Sequence, residues 1–330
     1  MQKLKVIHFD LDGVLWVPGD FLEEALKLCV RKGMENCLDV QSIDEGIELT
    51  KTIRKATGSN AQNHFDILIG LCNKKNEDLV ERIKNEEENP VKLINENFNK
   101  DYSLRKTGIN QDYMLLQTMV HEYKNAKMSN MKPALNAVDT LDELLKQNYI
   151  LTLVSNGIWD KQLDKLDELN LGHYFRHRQV EPEIKIIDSF VEVSGDENHK
   201  EKPNPYMWLK QREKVRQYYG NNFLQREVHV GDKYVADIMG ANGLGIFTVK
   251  VNQGEHSSET IEEALESRKI PKVYEKNARE LLRPDITIDS ISKLPAALYE
   301  IEMNYKEHME RKEYQKDIVK NSIINSEKII

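Results

Sequence analysis

Cysteine is scarce in this sequence, and no long apolar run is present. Cys29, Cys37 and Cys72 are widely spaced and form no C-x-x-C or Cys/His pattern. Small buried thiols in a reducing compartment are therefore expected, rather than a metal site or a thiol nucleophile. No apolar stretch approaches the roughly 20 residues that span a bilayer, and the N-terminal MQKLKVIHFD lacks the apolar segment of a signal peptide. We expect a cytoplasmic protein without a membrane partner.

Positive charge is not in excess either. The sequence has 47 Lys and Arg against 55 Asp and Glu, which gives a net charge of -8. This balance disfavours non-specific attraction to nucleic acid, so no nucleic-acid partner is expected. An anionic ligand would have to find its positive charge in local side chains. The length of 330 residues suffices for two domains, or for one domain with a large insertion.

Strand signals are nearly absent from about residue 20 to 130. Amphipathic helical patterns such as FLEEALKLCVRKGM fill this block, and Ser42 with Glu45 forms an S-x-x-E capping box at a helix start. After residue 131 apolar strand patterns such as ILTLVS and IFTVKV alternate with helical patterns. This alternation predicts a mostly parallel sheet. The apolar run 4–9 belongs to that sheet, so the helical block is an insertion after the first strand.

The first polar motif, HFDLDGVL, places Asp10 and Asp12 directly after this first strand. Two acids and a glycine are also ordinary turn residues, so the motif alone is weak. Its functional interpretation gives the two carboxylates different tasks. One attacks phosphorus as a nucleophile, and the other donates and accepts the protons of the reaction. Gly13 allows the close backbone approach that such a loop needs.

Three further motifs follow other predicted strands or lie between them. Ser155 and Asn156 in LTLVSNG follow a strand, where a hydroxyl and backbone N–H groups can hold a phosphate oxygen. Lys202 in EKPNP can balance negative charge. Asp232 and Asp237 in VHVGDKYVAD offer the hard oxygen ligands that Mg²⁺ prefers. Each motif alone also fits a turn, an exposed surface residue or a helix cap. The motifs together, in this order and at strand ends, are a much more specific signal than any one of them.

The series DLDGVL, VSNG, KP and GDKYVAD resembles the four-motif signature of the haloacid-dehalogenase-like superfamily. The resemblance covers residues 1–16 and about 131–298. It implies an α/β fold with a Rossmann-like parallel-sheet core in three α/β/α layers. The core would comprise 1–16 and 131–300, and an all-helical cap would comprise 17–130. Residues 301–330 are predicted to form a charged, partly frayed helical tail. Its few apolar positions are compatible with a homo-oligomer contact.

The resemblance also implies roles for the motif residues. Asp10 is expected to be the nucleophile and a metal ligand. Asp12 is expected to be the general acid and base, and to bind the metal through its backbone carbonyl. Ser155 and Asn156 would bind the substrate phosphate, and Lys202 would bind phosphate and balance charge during catalysis.

The metal site implied by the resemblance would hold Mg²⁺. Asp232 is expected to complete its protein ligands, with Asp237 and Gly13 in supporting positions. Lys185, Lys200 and Lys202 all lie in the interval in which the third motif is expected. Lys202 alone precedes a proline, which restricts its backbone to extended geometry and favours it over the other two.

The acid at position 12 discriminates between reactions within the resembling superfamily. Relatives that displace halide from carbon, or that cleave phosphonates, lack an acid there. An acid fits cleavage of a C–O–P ester, so we predict a phosphoric monoester hydrolase acting on a small phosphorylated metabolite. A phosphomutase of the same superfamily, or a non-catalytic binding or assembly protein on this fold, are the alternatives.

Overall fold

The computed structural model describes residues 4–17, 21–57, 64–73, 77–84, 89–98, 110–175, 190–194, 200–220, 226–267 and 270–327. The chain divides into two compact units. The core unit consists of Met1–Pro18 and Met131–Ile330, and the helical unit consists of Gly19–Asn130.

A parallel sheet forms the centre of the core unit. In the described residues its six strands are β1 (Val6–Phe9), β2 (Ile150–Ser155), β3 (Val191–Val193), β4 (Glu227–Gly231), β5 (Phe247–Val251) and β6 (Ile286–Ile288). Their order is β3-β2-β1-β4-β5-β6, and every neighbouring pair is parallel. β1, β4 and β5 are buried along their whole length, as is typical of a sheet covered by helices on both faces. The predicted α/β fold is confirmed.

The helical unit has six helices and no strand in its described residues. They are α1 (Phe21–Glu35), α2 (Ile43–Thr57), α3 (His64–Asn73), α4 (Glu77–Lys84), α5 (Pro90–Asn97) and α6 (Asn110–Ser129). Their apolar faces share one core, which includes the fully buried Ile53 and Met119. The predicted cap of α2 forms in part, because the Glu45 N–H donates to Ser42 Oγ at 3.1 Å. The Glu45 carboxylate accepts instead from the Gln41 N–H, at 2.5 Å.

Helices flank the sheet of the core unit. They are α7 (Ala137–Lys146), α8 (Trp159–Glu168), α9 (Tyr206–Tyr219), α10 (Gly240–Gly243), α11 (Ile261–Leu265), α12 (Ala278–Leu281), α13 (Leu294–Met303) and α14 (Tyr305–Glu327). A π-helical turn, Tyr234–Met239, connects β4 to α10. None of the helices in the described part of the chain is both long and apolar enough to cross a membrane.

Two elements of the core unit differ from the prediction. The segment VEV, for which no strand is predicted from the sequence, forms the edge strand β3 and pairs with β2. Three residues followed by polar sequence carry too little pattern to reveal a strand. The prediction also omits α9, in which half of the residues are charged or Gln. Its buried residues are Met207, Trp208, Gln211 and Val215, and Gln211 donates to the Leu153 carbonyl of β2.

A buried charge network anchors the C-terminal helix α14 to the core unit. Lys312 is fully buried, with Nζ 2.6 Å from Asp285 Oδ2, and it also donates to Asn242 Oδ1. His308 Nδ1 lies 3.1 Å from Asp285 Oδ1, which Arg311 also contacts. Burial would raise the pKa of Asp285, but the charges of Lys312 and Arg311, together with the His308 hydrogen bond, outweigh it and the pKa is lowered. The described part of the tail is therefore not a merely solvated helix, because Lys312, Gln315 and Ile318 are buried. Self-association through the tail stays a prediction.

We expect the loss of this cation to destabilise the core unit strongly. Lys312→Met keeps the side-chain length but removes the fully buried ammonium beside the Asp285 carboxylate, while Arg311 still contacts that carboxylate. The expected loss in the free energy of unfolding is about 3 kcal/mol, the lower end for breaking a buried ion pair. Lys320→Met, at an exposed position of the same helix, should change it by less than about 0.5 kcal/mol. Equal effects of the two variants in urea unfolding would contradict the anchoring role.

Candidate active site

The candidate site lies at the carboxyl ends of the central strands of the core unit. β1 and β4 are neighbours in the middle of the sheet, and the chain leaves them toward opposite edges. Such a switch point leaves a crevice between the two loops that follow the strands. Asp10 follows β1, and its N–H donates to the Val230 carbonyl of β4 at 2.9 Å. Asp232 follows β4 directly, so both acids stand at this crevice.

Lys202 lies at the centre of the polar contacts in this site. Its Nζ is 2.9 Å from Asp10 Oδ1, 2.6 Å from Asp237 Oδ1 and 3.1 Å from the Val154 carbonyl. Its backbone N–H donates to Asn156 Oδ1 at 2.8 Å. Burial alone would lower the pKa of Lys202, but the charges of Asp10 and Asp237 outweigh it and raise the pKa. The ammonium group is therefore held, charged, between two carboxylates.

Lys200, another lysine of the predicted interval, has a different described contact. Lys200 lies with Nζ 4.9 Å from the ring centroid of Tyr206, and it is only partly buried. Lys185 lies outside the described residues. Lys202 is the described candidate whose ammonium contacts Asp10 and Asp237.

Three buried carboxylates are brought together at the site. Asp10, Asp232 and Asp237 each have an oxygen within 4.8 Å of the others. Burial raises the pKa of both Asp10 and Asp232, because a charge far from water is unfavourable. Among the described residues, Asp232 Oδ1 is buried without a hydrogen-bond partner. An unpartnered carboxylate oxygen beside a second carboxylate fits the oxygen ligand set of a divalent cation.

Asp237 differs from the other two acids because both of its oxygens have donors. Oδ2 accepts the Lys233 N–H at 3.0 Å, and Oδ1 lies 3.2 Å from His229 Nε2 in addition to Lys202. The indole N–H of Trp208 donates to His229 Nδ1 at 3.1 Å, so the imidazole carries its proton on Nε2. Burial lowers the pKa of His229 to about 4, which leaves a neutral ring that donates to Asp237.

The charge of Asp237 is stabilised by these contacts. Burial would raise the pKa of Asp237, but Lys202 and His229 outweigh it and the pKa is lowered. Asp237 therefore stays a carboxylate, fully occupied by donors, and it orients the Lys202 ammonium toward Asp10.

Glycine is required beside the acid cluster. Gly13 has φ +86, and a Cβ there would lie 2.1 Å from Asp232 Oδ2. A Cβ on Gly231 would lie 2.2 Å from Asp237 Cβ. Both distances are far below van der Waals contact, so a side chain at either position would displace an acid of the cluster.

Asp12 lies apart from the buried cluster and is 30% exposed. Lys165 Nζ contacts both of its oxygens, at 2.5 Å to Oδ1 and 2.8 Å to Oδ2. Gln162 Nε2 donates to Oδ2 at 3.1 Å. Both partners stand on α8, the helix that follows β2.

The predicted phosphate-binding pair occupies the end of β2. Ser155 is the last residue of that strand and is 1% exposed, with Oγ 3.4 Å from the Asn156 carbonyl. The Asn156 side chain accepts the backbone N–H of Lys202, so it ties the second motif to the third. The structure thus brings the loops of all four motifs to one edge of the sheet.

The sequence motifs predict the acids and Lys202, but not the further partners of the acids, His229, Lys233, Lys165 and Gln162. His229 and Lys233 lie within the fourth motif, and their place next to Asp232 was a usable signal. Lys165 and Gln162 lie in DKQLDKLDEL, a charged amphipathic helix in which one lysine looks like another. The Lys165 contact depends on the tertiary approach of α8 to the first loop.

Comparisons with known proteins identify the family. The model of the haloacid dehalogenase-like hydrolase family matches residues 78–251, just over half of the chain. The glyceraldehyde 3-phosphate phosphatase of Methanopyrus kandleri is 25% identical over 255 residues, which cover 77% of this chain and 86% of the relative. The enzyme of the same name from Methanothermobacter thermautotrophicus is 26% identical over 249 residues, covering 76% and 86%.

Solved structures support the fold. A predicted phosphoglycolate phosphatase from Haemophilus somnus has a TM-score of 0.50 at 17% identity, covering 90% of this chain and 99% of that chain. A family hydrolase from Deinococcus radiodurans, solved with bound phosphate and sodium, has a TM-score of 0.50 at 14% identity, covering 90% and 96%. At these identities the similarity concerns the fold alone.

The family match, the names of the curated relatives and the fold agree with one another. The predicted superfamily is confirmed, and so is the predicted enzyme class, a phosphoric monoester hydrolase. The chain belongs to the family of haloacid dehalogenase-like hydrolases.

Proposed function

We propose that this protein is a magnesium-dependent phosphatase of small phosphorylated sugars that forms an aspartyl-phosphate on Asp10. The contact of the buried Asp10 carboxylate with the Lys202 ammonium, 2.9 Å away, carries this proposal. It combines a nucleophile with a fixed positive charge at the sheet crevice. The curated relatives named glyceraldehyde 3-phosphate phosphatase support the substrate class, as does a ribulose-1,5-bisphosphate 5-phosphatase from Halopiger xanaduensis that is 28% identical over 138 residues.

In the first half-reaction an Asp10 oxygen attacks the phosphorus of the ester. The new O–P bond forms as the bond from phosphorus to the sugar oxygen breaks, and the leaving alkoxide takes a proton from the Asp12 carboxylic acid. The Lys202 ammonium balances the negative charge of the phosphoryl group and of Asp10. Ser155 and Asn156, at the end of β2, are assigned to hold the phosphoryl oxygens.

In the second half-reaction water hydrolyses the aspartyl-phosphate. The Asp12 carboxylate accepts a proton from the water as its oxygen attacks phosphorus, and the bond from phosphorus to Asp10 breaks. Inorganic phosphate leaves, the Asp10 carboxylate is restored, and Asp12 is again protonated for the next cycle. No other reactant is needed for the balance of atoms and protons.

The residues present fit a magnesium ion. Asp10 and Asp232 would hold it, together with the backbone carbonyl of Asp12, because Asp232 Oδ1 is buried without a partner among the described residues. Asp237 is assigned to orient Lys202, since donors already occupy both of its oxygens. The ion would supply positive charge to the phosphoryl oxygens.

The direct test is release of inorganic phosphate from glyceraldehyde 3-phosphate, with Mg²⁺ and with excess chelator. We expect turnover only with Mg²⁺, and none in Asp10→Asn, because the amide cannot accept the phosphoryl group. The uncatalysed reaction is so slow, with accelerations up to ~10²¹-fold, that no background obscures this result. Asp317→Asn, at an exposed position of α14, is the control and should retain full activity. Robust turnover by Asp10→Asn would refute the mechanism, and phosphoryl migration without phosphate release would indicate a mutase.

A second prediction separates the lysines. Lys202→Met removes the ammonium beside Asp10 and should lower kcat by ~10²–10³, the usual loss for one preorganised electrostatic group. Lys200→Met should remain within a few-fold of the wild type, because the described contact of Lys200 is with Tyr206. Thermal unfolding of both variants controls for folding. A large loss of kcat in Lys200→Met, with kcat retained in Lys202→Met, would show that the charge-balancing lysine is wrongly assigned.

A third prediction concerns the glycine beside Asp232. Gly13→Ala places a methyl group 2.1 Å from Asp232 Oδ2, so Asp232 must move and the activity at saturating Mg²⁺ should fall by ~10². Gly220→Ala is the matched control, because φ is also positive, at +75, and nothing lies within 4 Å of the added Cβ. It should lose stability through backbone strain of about 1–3 kcal/mol, yet keep its kcat. Unchanged kcat in folded Gly13→Ala would contradict the role of this close approach.

A further inference from the structure

Asp12 is held by a lysine of its own, separate from the lysine that contacts Asp10. Lys165 Nζ lies 2.5 Å from Asp12 Oδ1 and 2.8 Å from Oδ2, so its ammonium engages both oxygens of the carboxylate. The Lys165 side chain is only 13% exposed, which limits the screening of this pair by water. In the ionised state of Asp12 this contact fixes the plane of the carboxylate as well as its position. When Asp12 carries its proton, one oxygen stays on the ammonium and the O–H is left to face the leaving oxygen.

Lys165 is itself held in place by Trp16. Its Nζ lies 5.1 Å from the centroid of the Trp16 ring, within cation–π distance. Trp16 is 3% exposed and is joined to the Asp12 loop, because the Gly13 N–H donates to the Trp16 carbonyl at 2.8 Å. The aromatic face and the carboxylate therefore belong to the same loop, and the lysine enters that loop from α8.

Gln162 forms the second support of Asp12, one helical turn before Lys165. Its Nε2 donates to Asp12 Oδ2 at 3.1 Å and to the Asn156 carbonyl at 2.6 Å. The opposite orientation of the amide would place its oxygen against two other oxygens, so the donor must face them. Gln162 is 4% exposed, and a Cβ on Gly157 would lie 2.8 Å from Nε2. The loop after β2 is shaped around this amide.

A proton donor and acceptor acts well only within hydrogen-bond reach of the oxygen that it serves. Asp12 is two residues from Asp10, so the like charges of the two carboxylates repel each other. Because Asp12 is also partly exposed, its side-chain torsions need a constraint from another residue. A displacement of about 1 Å in such a group can cost ~10²-fold in rate. Lys202 does not provide this constraint in its described contacts, which are with Asp10, Asp237, β2 and the loop after β2.

We propose that Lys165, supported by Gln162, is a positioning residue that holds the Asp12 carboxyl group in place for proton transfer. This inference rests on the proposed phosphatase function and deepens it. Lys202 serves the nucleophile and Lys165 serves the acid and base, so each carboxylate of the first motif has a separate cation. Lys165 acts through Asp12 and takes no part in phosphoryl transfer itself.

The test compares leaving groups. Single-turnover phosphorylation by glyceraldehyde 3-phosphate, whose alkoxide needs a proton, is compared with that by p-nitrophenyl phosphate, whose phenolate does not. Lys165→Met should lower the first rate by roughly 10- to 100-fold, with KM changed less than about threefold, and the second by less than about threefold. Lys165→Arg should recover part of the loss. Lys161→Met, an exposed lysine on the same helix, is the matched control and should match the wild type.

A double-mutant cycle gives an independent measurement. In the Asp12→Asn background, Lys165→Met should add less than about twofold, because the group that it positions is already lost. Equal losses on both substrates, full additivity with Asp12→Asn, or a faster Lys165→Met enzyme would each overturn the positioning role while leaving the phosphatase function intact. A wild-type chain that releases no phosphate from either substrate would instead overturn the proposed function, and this inference with it.

Discussion

The acid cluster depends on one contact, that of the Lys202 ammonium group with both Asp10 and Asp237. Three buried carboxylates have oxygens within 4.8 Å of one another. At that separation each pair of charges repels by about 3 kcal/mol at effective ε ~20. One cation in contact with two of the three offsets much of this repulsion. Asp232 Oδ1 is then left without a hydrogen-bond partner among the described residues, so a divalent cation would fit this arrangement chemically.

The sheet topology makes this contact geometrically possible. β2, β1 and β4 are adjacent, so the loops that follow them meet at one edge although they are more than 70 residues apart in the chain. Asn156 after β2 accepts the backbone N–H of Lys202 and aims the lysine across β1. The imidazole of His229, on β4, donates to Asp237 Oδ1. The strand order brings the loops together, and hydrogen bonds between the loops then hold the Lys202 side chain in a fixed position.

Lys202 and Lys165 each contact a different carboxylate of the first motif. Lys202 is nearly inaccessible and contacts Asp10, whereas Lys165 stands on α8 and contacts the more exposed Asp12. A single cation shared by both acids would draw them together. Separate cations leave one carboxylate buried and the other nearer to solvent. This separation suits the proposed mechanism, in which one acid would form a covalent bond and the other would move protons.

The sequence alone determined the α/β class, the helical insertion and the order of the four motifs, because strand and helix periodicity and turn residues are local properties. It did not reveal β3, since three residues become a strand only by pairing with the backbone of β2. It also did not reveal which donor serves which acid. Lys165 looks like any lysine of a charged helix, and it contacts Asp12 across 153 residues of chain. Such pairs depend on which loops the sheet brings together, and that distance is set only when the tertiary structure forms.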